Sequence, residues 1–185
     1  KGIDTAVVLG TKILRVFSGE EKEGIPFEQA KVWIIDCFKE CAAYAEEKGI
    51  VMALENHGLF AGKSSQVKEI IDAVNSSSLR ANADVGNFLL VDEDSLEAVK
   101  NLKDYIAFVH FKDFKQVTEN GRYTTASGKM YVGEVIGQGD VKLKEIVDFL
   151  YESGYNGYLS LEFEGAGEPY KGTLESLQFA KSVIR

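Results

Sequence analysis

Apolar residues in this chain fall into two rhythms. Short, nearly continuous apolar runs alternate with longer stretches whose apolar positions recur every three or four residues, the signatures of buried strand and amphipathic helix. Residues 12–17 (KILRVF), 50–55 (IVMALE), Leu79–Asp84 (LRANAD), 105–111 (YIAFVHF) and 158–163 (YLSLEF) read as strands. Phe27–Lys48 reads as a helix with its apolar set at Val32, Trp33, Ile35, Phe38, Cys41, Ala42 and Ala45, stopped by Gly49. Further helices are expected over 64–75, Ser95–Leu102, 143–153 and 173–183, and residues 1–10 look like the later part of a helix running into the first strand. The polar stretch 112–138 carries a hairpin over 123–131, turning at Ser127-Gly128. An excursion of this kind on a βα loop tends to lie over a site.

Strand and helix by turns imply a parallel sheet. No break in composition suggests a second domain, so residues 1–185 read as part of one domain. The fold class expected is α/β, a (β/α)8 TIM barrel of which the chain holds the last five βα units, since a whole barrel takes about 250 residues. An open doubly wound sheet would also accept five parallel strands. Against it, no glycine-rich phosphate turn follows any strand; Gly137-Gln138-Gly139 has no strand before it and reads as an ordinary turn. A parallel sheet opened at 12–17 and at 158–163 has two unpaired edges, so association with a second copy or with the missing units, or else poor solubility, is expected.

In a barrel, functional groups gather where strands end, because the strands hold those side chains fixed while the loops vary. Glu55 ends the second strand, Asp84 ends the third, and His110 and Glu162 lie near the ends of the fourth and fifth. Period-two alternation sends Leu159, Leu161 and Phe163 toward the outer helices and Ser160, Glu162 and Glu164 toward the axis. One acidic residue at a strand end is more often a solvated loop residue or a helix cap. Four inward groups from neighbouring strands, three oxygen donors and one imidazole, suit one hard divalent ion: Mn2+, Mg2+ or Co2+ by preference, with Zn2+ also admitted. His57 and Lys112 are candidates to face substrate at the same rim. For His57 the competing role is orienting Glu55, and for Lys112 it is a solvated or ion-paired lysine. Arg15 suits an anionic group or, more readily, a barrel carboxylate. Asp113, of opposite parity to His110, reads as structural.

Charge and cysteine usage narrow the partners. A net charge of −8 and an isoelectric point near 4.9 argue against nucleic acid, which needs a basic stripe. Cys37 and Cys41 have neither redox-pair nor disulfide-framework spacing and read as reduced. No apolar run approaches the roughly 20 residues of a spanning helix, and no secretion signal opens the chain, so no membrane is expected and the cytoplasm is the simplest location.

At these strand ends the sequence resembles the xylose-isomerase-like TIM-barrel superfamily, in particular its sugar phosphate isomerase/epimerase branch. The resembling segments are Leu9-Gly10 with Leu14-Arg15-Val16-Phe17-Ser18-Gly19, Ala53-Leu54-Glu55-Asn56-His57-Gly58 and Ala83-Asp84-Val85-Gly86-Asn87. They continue with Val109-His110-Phe111-Lys112-Asp113, Gly137-Gln138-Gly139-Asp140-Val141 and the run from Gly154 to Glu162. They span nearly the whole chain and correspond to the family's strands four to eight. The resemblance implies that Glu55, Asp84, His110 and Glu162 hold the metal. It also implies that Glu55 and Glu162 form an acid/base pair on opposite faces of a substrate that enolises beside a carbonyl. Two departures are visible. Many members carry histidine where this chain has Asn87, which can hydrogen-bond a hydroxyl but not shuttle a proton, and some ketose epimerases carry arginine where it has Gln116.

The function expected is a metal-dependent isomerase or epimerase of a sugar or sugar phosphate. The alternatives are an inosose-type dehydratase, which shares the enolisation step, and a non-catalytic sugar-binding barrel. A DNA-repair endonuclease of the same superfamily is disfavoured by two histidines and an acidic chain.

Overall fold

The computed structural model describes residues 1–184. In chain order it runs α1 (Gly2–Leu9), β1 (Ile13–Val16), α2 (Phe27–Lys48), β2 (Val51–Glu55), α3 (Ser64–Val74) and β3 (Leu79–Asp84). It continues with α4 (Ser95–Leu102), β4 (Ile106–Phe111), β5 (Phe114–Val117), β6 (Tyr123–Thr124), β7 (Met130–Gly133), α5 (Leu143–Glu152), β8 (Leu159–Leu161) and α6 (Pro169–Val183). Five strands form one parallel sheet in the order β1-β2-β3-β4-β8, a curled half-barrel with helices on its outer face. The strand order follows the chain without reversal, which removes the doubly wound alternative, because that fold requires a switch point.

The alternation of side chains along each strand places the core. In β3, Leu79, Ala81 and Ala83 are fully buried toward the helices, while Asn82 and Asp84 take the other face. Leu54, Val109 and Phe111 share the outer layer and pack with Val67, Ile70 and Ile71 of α3, Val99 and Leu102 of α4, and Ile146 of α5. Each large side chain buried in this way contributes about 1.5–3 kcal/mol. The α3 stripe at 67, 70, 71 and 74 follows the helical period, and Asn75 closes the helix in the left-handed region at φ 52.

Three sequence expectations need correction. In α2 the buried stripe is Ala30, Ile34, Phe38, Ala42 and Ala45, so Phe38, Ala42 and Ala45 belong to the expected set, whereas Val32 and Trp33 are each 54% exposed. The four-residue steps from Ala30 to Ala42 form one ridge that packs on the neighbouring elements, and Val32 and Trp33 lie off that ridge. Helix α6 begins at Pro169 rather than 173, with the Glu168 carboxylate accepting from the amides of Tyr170 (3.1 Å) and Lys171 (2.7 Å); proline at the first helical position is itself a start signal. The expected hairpin is a three-stranded antiparallel sheet, β5-β7-β6, because Phe114–Val117 adds a strand against β7.

That small sheet follows β4 directly and stands over the C-terminal ends of the barrel strands. Asp92 fastens its far end by accepting from Thr125 Oγ1 (3.0 Å), Ser127 N (3.0 Å) and Ser127 Oγ (2.5 Å). At its near end Asp113 is buried, and its carboxylate accepts from the amides of Gly137 (2.9 Å), Gly139 (2.9 Å) and Val141 (3.1 Å). Burial raises the Asp113 carboxyl above its ordinary range against the pull of these amides. Asp113→Ala strips three backbone donors of their acceptor, that of Val141 buried, and urea denaturation should show a loss of about 1–3 kcal/mol. No helix of the described residues is long and apolar enough to cross a membrane.

Candidate metal centre

Strand register brings the four predicted ligands together. Glu55 lies opposite Asn82, Asp84 opposite His110, and His110 opposite Ser160, so Glu162 follows two residues beyond. A register shift between Ala81 and Asn82 gives β4 one extra residue and sets Asp84 level with His110. Glu55, Asp84 and His110 are buried, and each offers a ligand atom within 4.8 Å of the others. His110 Nδ1 lies 3.1 Å from Glu55 Oε2, 3.3 Å from Glu162 Oε1 and 3.8 Å from Asp84 Oδ2. Despite these distances, Nδ1 is buried without a hydrogen bond to any of them, and Asp84 Oδ2 is buried with the Lys112 ammonium 2.9 Å away but no well-aligned hydrogen bond. Buried polar atoms that face one another without bonding are a departure from the rule that buried polar groups are paired. A cation held between them would satisfy both.

The other oxygens are held by the fold. Asp84 Oδ1 accepts from the amides of Gly86 and Asn87, both at 3.0 Å. Asn56 ties the ends of β2 and β3 together, donating to the Asp84 carbonyl (2.9 Å) and accepting from the Asp84 amide (2.7 Å). Asn82 Nδ2 donates to Glu55 Oε2 (3.1 Å) and lies 3.2 Å from His110 Nε2. Arg15 places Nη1 3.3 Å from both Glu55 Oε2 and Glu162 Oε1, so it pairs with barrel carboxylates. Lys112 is buried, with Nζ 2.9 Å from Asp84 Oδ2, 2.9 Å from Glu162 Oε2 and 3.0 Å from Glu164 Oε1.

Charge counting supports a divalent ion. Four carboxylates (Glu55, Asp84, Glu162, Glu164) face two permanent cations (Arg15, Lys112), which leaves two negative charges in excess when His110 is neutral, as a metal ligand must be, and one when it is protonated. Burial disfavours the charged form of His110, but Asp84, Glu55 and Glu162 outweigh it and raise the imidazole to about 9. Burial would also raise Asp84, yet His110 and Lys112 hold its carboxyl below the ordinary range. Burial works against the Lys112 charge too, and its three carboxylates overcome it, keeping the ammonium protonated. The donor set, three carboxylates and one imidazole, is suited to a hard divalent ion.

The remaining predicted residues line the mouth. His57 is exposed and stacks edge-on to Phe17, with ring centroids 5.3 Å apart. Asn87 is buried and donates from Nδ2 to the Asn56 carbonyl (3.0 Å). Both line a cleft of about 530 Å3 together with Glu21, Leu90, Arg122 and Tyr123. Sequence reasoning did not single out Asn56 or Asn82 as site residues. Asn82 was detectable, since it shares inward parity with Asp84 inside an otherwise apolar strand.

Comparison with known proteins follows this geometry. An inosose dehydratase of Clostridium perfringens is 27% identical over 128 residues, covering 66% of this chain and 43% of that enzyme. The chain thus spans about half the length of the curated relatives it matches. A structure of a D-tagatose 3-epimerase-like protein superposes with a TM-score of 0.78 at 23% identity, over 98% of this chain and 65% of that one. A xylose isomerase-like TIM barrel protein from Mycobacterium smegmatis, in complex with magnesium, gives 0.75 at 18% identity, over 99% and 65%. These two structural likenesses speak to the fold alone. The sequence profile described as xylose isomerase-like TIM barrel matches residues 1–183, and the chain belongs to that family.

Proposed function

We propose that this chain carries the metal-holding face of an enzyme that removes a proton beside a carbonyl of a sugar or sugar phosphate and returns it in an isomerised or epimerised product. The observation that carries this reading is the convergence of Glu55, Asp84 and His110 on one buried point, with Glu162 Oε1 3.3 Å from a His110 Nδ1 that has no hydrogen-bond partner. A bound Mn2+, Mg2+ or Co2+ would polarise the carbonyl oxygen and offset the charge of the enediolate; Zn2+ is compatible with the same donors.

The chain's own residues divide the remaining work. Glu162 keeps 28% of its side chain exposed against 2% for Glu55, so Glu162 is assigned proton removal and Glu55 proton return. Arg15, half-exposed and pairing with both glutamates, is placed to meet a substrate oxygen as it releases them. His57 and Asn87 face the cleft and are assigned to substrate hydroxyls.

A second reading, loss of water from an inosose-type polyol, is favoured by the name of the Clostridium perfringens relative and shares the same first step. Incubating the Mn2+-loaded protein with ketoses, sugar phosphates and inososes and weighing the products separates the two. An unchanged mass with altered configuration supports isomerisation, and loss of one water supports the second reading. Glu162→Gln should cut turnover by about 10²–10⁴-fold. No turnover of any compound by the parent protein contradicts both.

A further inference from the structure

The Lys112 ammonium does not line the cleft and is enclosed by carboxylates. The side chain is 4% exposed, and its three N–H donors have three carboxylate partners in Asp84, Glu162 and Glu164. Two of these are assigned to the metal. Lys112 takes Glu162 through Oε2, which leaves Oε1 turned toward His110 Nδ1 at 3.3 Å. At Asp84, Oδ1 is already occupied by backbone amides, so Lys112 and His110 share the approach to Oδ2. Lys112 therefore selects which carboxylate oxygen each of these residues presents.

Its third partner leads out of the site. Glu164 pairs with Lys112 through Oε1, while Oε2 accepts from the Tyr123 hydroxyl at 2.9 Å. Tyr123 lies on β6, lines the cleft and packs edge-on against Phe114 of β5 at 5.4 Å. The small sheet also meets Glu164 through its backbone: at Gly133, the end of β7, a Cβ would collide with the Glu164 carbonyl, so glycine is required by close approach. A continuous path of charged and hydrogen-bonded groups thus runs from the sheet over the cleft to the ligand carboxylates.

We propose that Lys112 is a positioning residue of the metal centre, held in place by Tyr123 through Glu164, so that seating of the β5-β7-β6 sheet and orientation of the ligand carboxylates are coupled. This inference rests on the metal reading above. It predicts that metal binding and order in the sheet rise and fall together, and that substitutions at Tyr123, on the sheet itself, alter the ligand field.

The test uses Tyr123→Phe, Glu164→Gln and the double variant beside the parent protein. Phenylalanine retains the ring packing on Phe114, and thermal melts verify that each variant folds. Mn2+ affinity is read by electron paramagnetic resonance of the free ion, ligand geometry by the visible bands of bound Co2+, and sheet order by hydrogen exchange of residues 114–133. The expected result is an affinity loss of about 10–100-fold in each variant, the scale of outer-shell partners, with displaced Co2+ bands. The double variant should lose no more than Glu164→Gln alone, because both changes break one path. Mn2+ should slow exchange over 114–133 in the parent and not in Tyr123→Phe. Parental affinity, bands and exchange in the folded variants would overturn the coupling while leaving the metal reading intact. Absence of Mn2+ binding in the parent itself would remove both.

Discussion

His110→Ala is expected to lower Mn2+ affinity by more than the roughly 10–100-fold typical of losing an outer partner, because it removes a donor atom rather than a brace. His110 Nδ1 is the point that Glu55, Asp84 and Glu162 all face, at 3.1, 3.8 and 3.3 Å. Without it, three carboxylates remain around a void, and the imidazole that helps set their spacing is gone. The effect is measurable without any substrate. A ligand that binds the native state alone stabilises it by about 2.7 kcal/mol at a hundredfold excess over Kd, so the parent should melt higher with Mn2+ and the variant should show little shift at the same concentration. An equal shift in both would place the ion elsewhere.

Lys112→Met is expected to have the largest effect on stability. It deletes a buried ammonium whose partners include Asp84, itself fully buried, and leaves that carboxylate without the cation at its Oδ2. Removing one member of a buried ion pair costs about 3–5 kcal/mol. Adding Asp84→Asn in the same chain should recover part of the loss, since the orphaned charge is then absent, and a coupling of about 0.5–3 kcal/mol is expected in the cycle. Both quantities come from denaturant titration of the metal-free protein, and strictly additive losses would contradict the pairing.

Much of the scaffold was legible because its strands and helices obey simple periods. Phe27–Lys48, Leu79–Asp84 and Ser95–Leu102 have in the structure the bounds that their sequences suggest. The misplaced face of α2 shows where periodicity alone fails: Val32 and Trp33 are apolar enough to be expected inside, yet the buried stripe is Ala30, Ile34, Phe38 and Ala42. Strand β5 was hidden because Phe114–Val117 is short, half polar, and defined by a partner that follows only after the β6 turn.

The candidate ligands were legible from strand ends, since a parallel sheet aligns those ends whatever the loops do. The braces were not, because each depends on register or on distant chain. Asn82 reaches Glu55 only through the pairing of β2 with β3. Lys112 draws partners from positions 84, 162 and 164, and Tyr123 reaches Glu164 across 41 residues. Inward parity foretold that Lys112 would point toward the site, but not that carboxylates would occupy its ammonium.

The central claim is that these residues form one divalent-ion site, and a Mn2+ titration of the metal-stripped protein tests it most directly. The account predicts a single saturable site per chain that is lost in His110→Ala and in Asp84→Ala. Failure of the parent to saturate, or binding that survives both substitutions, would contradict it.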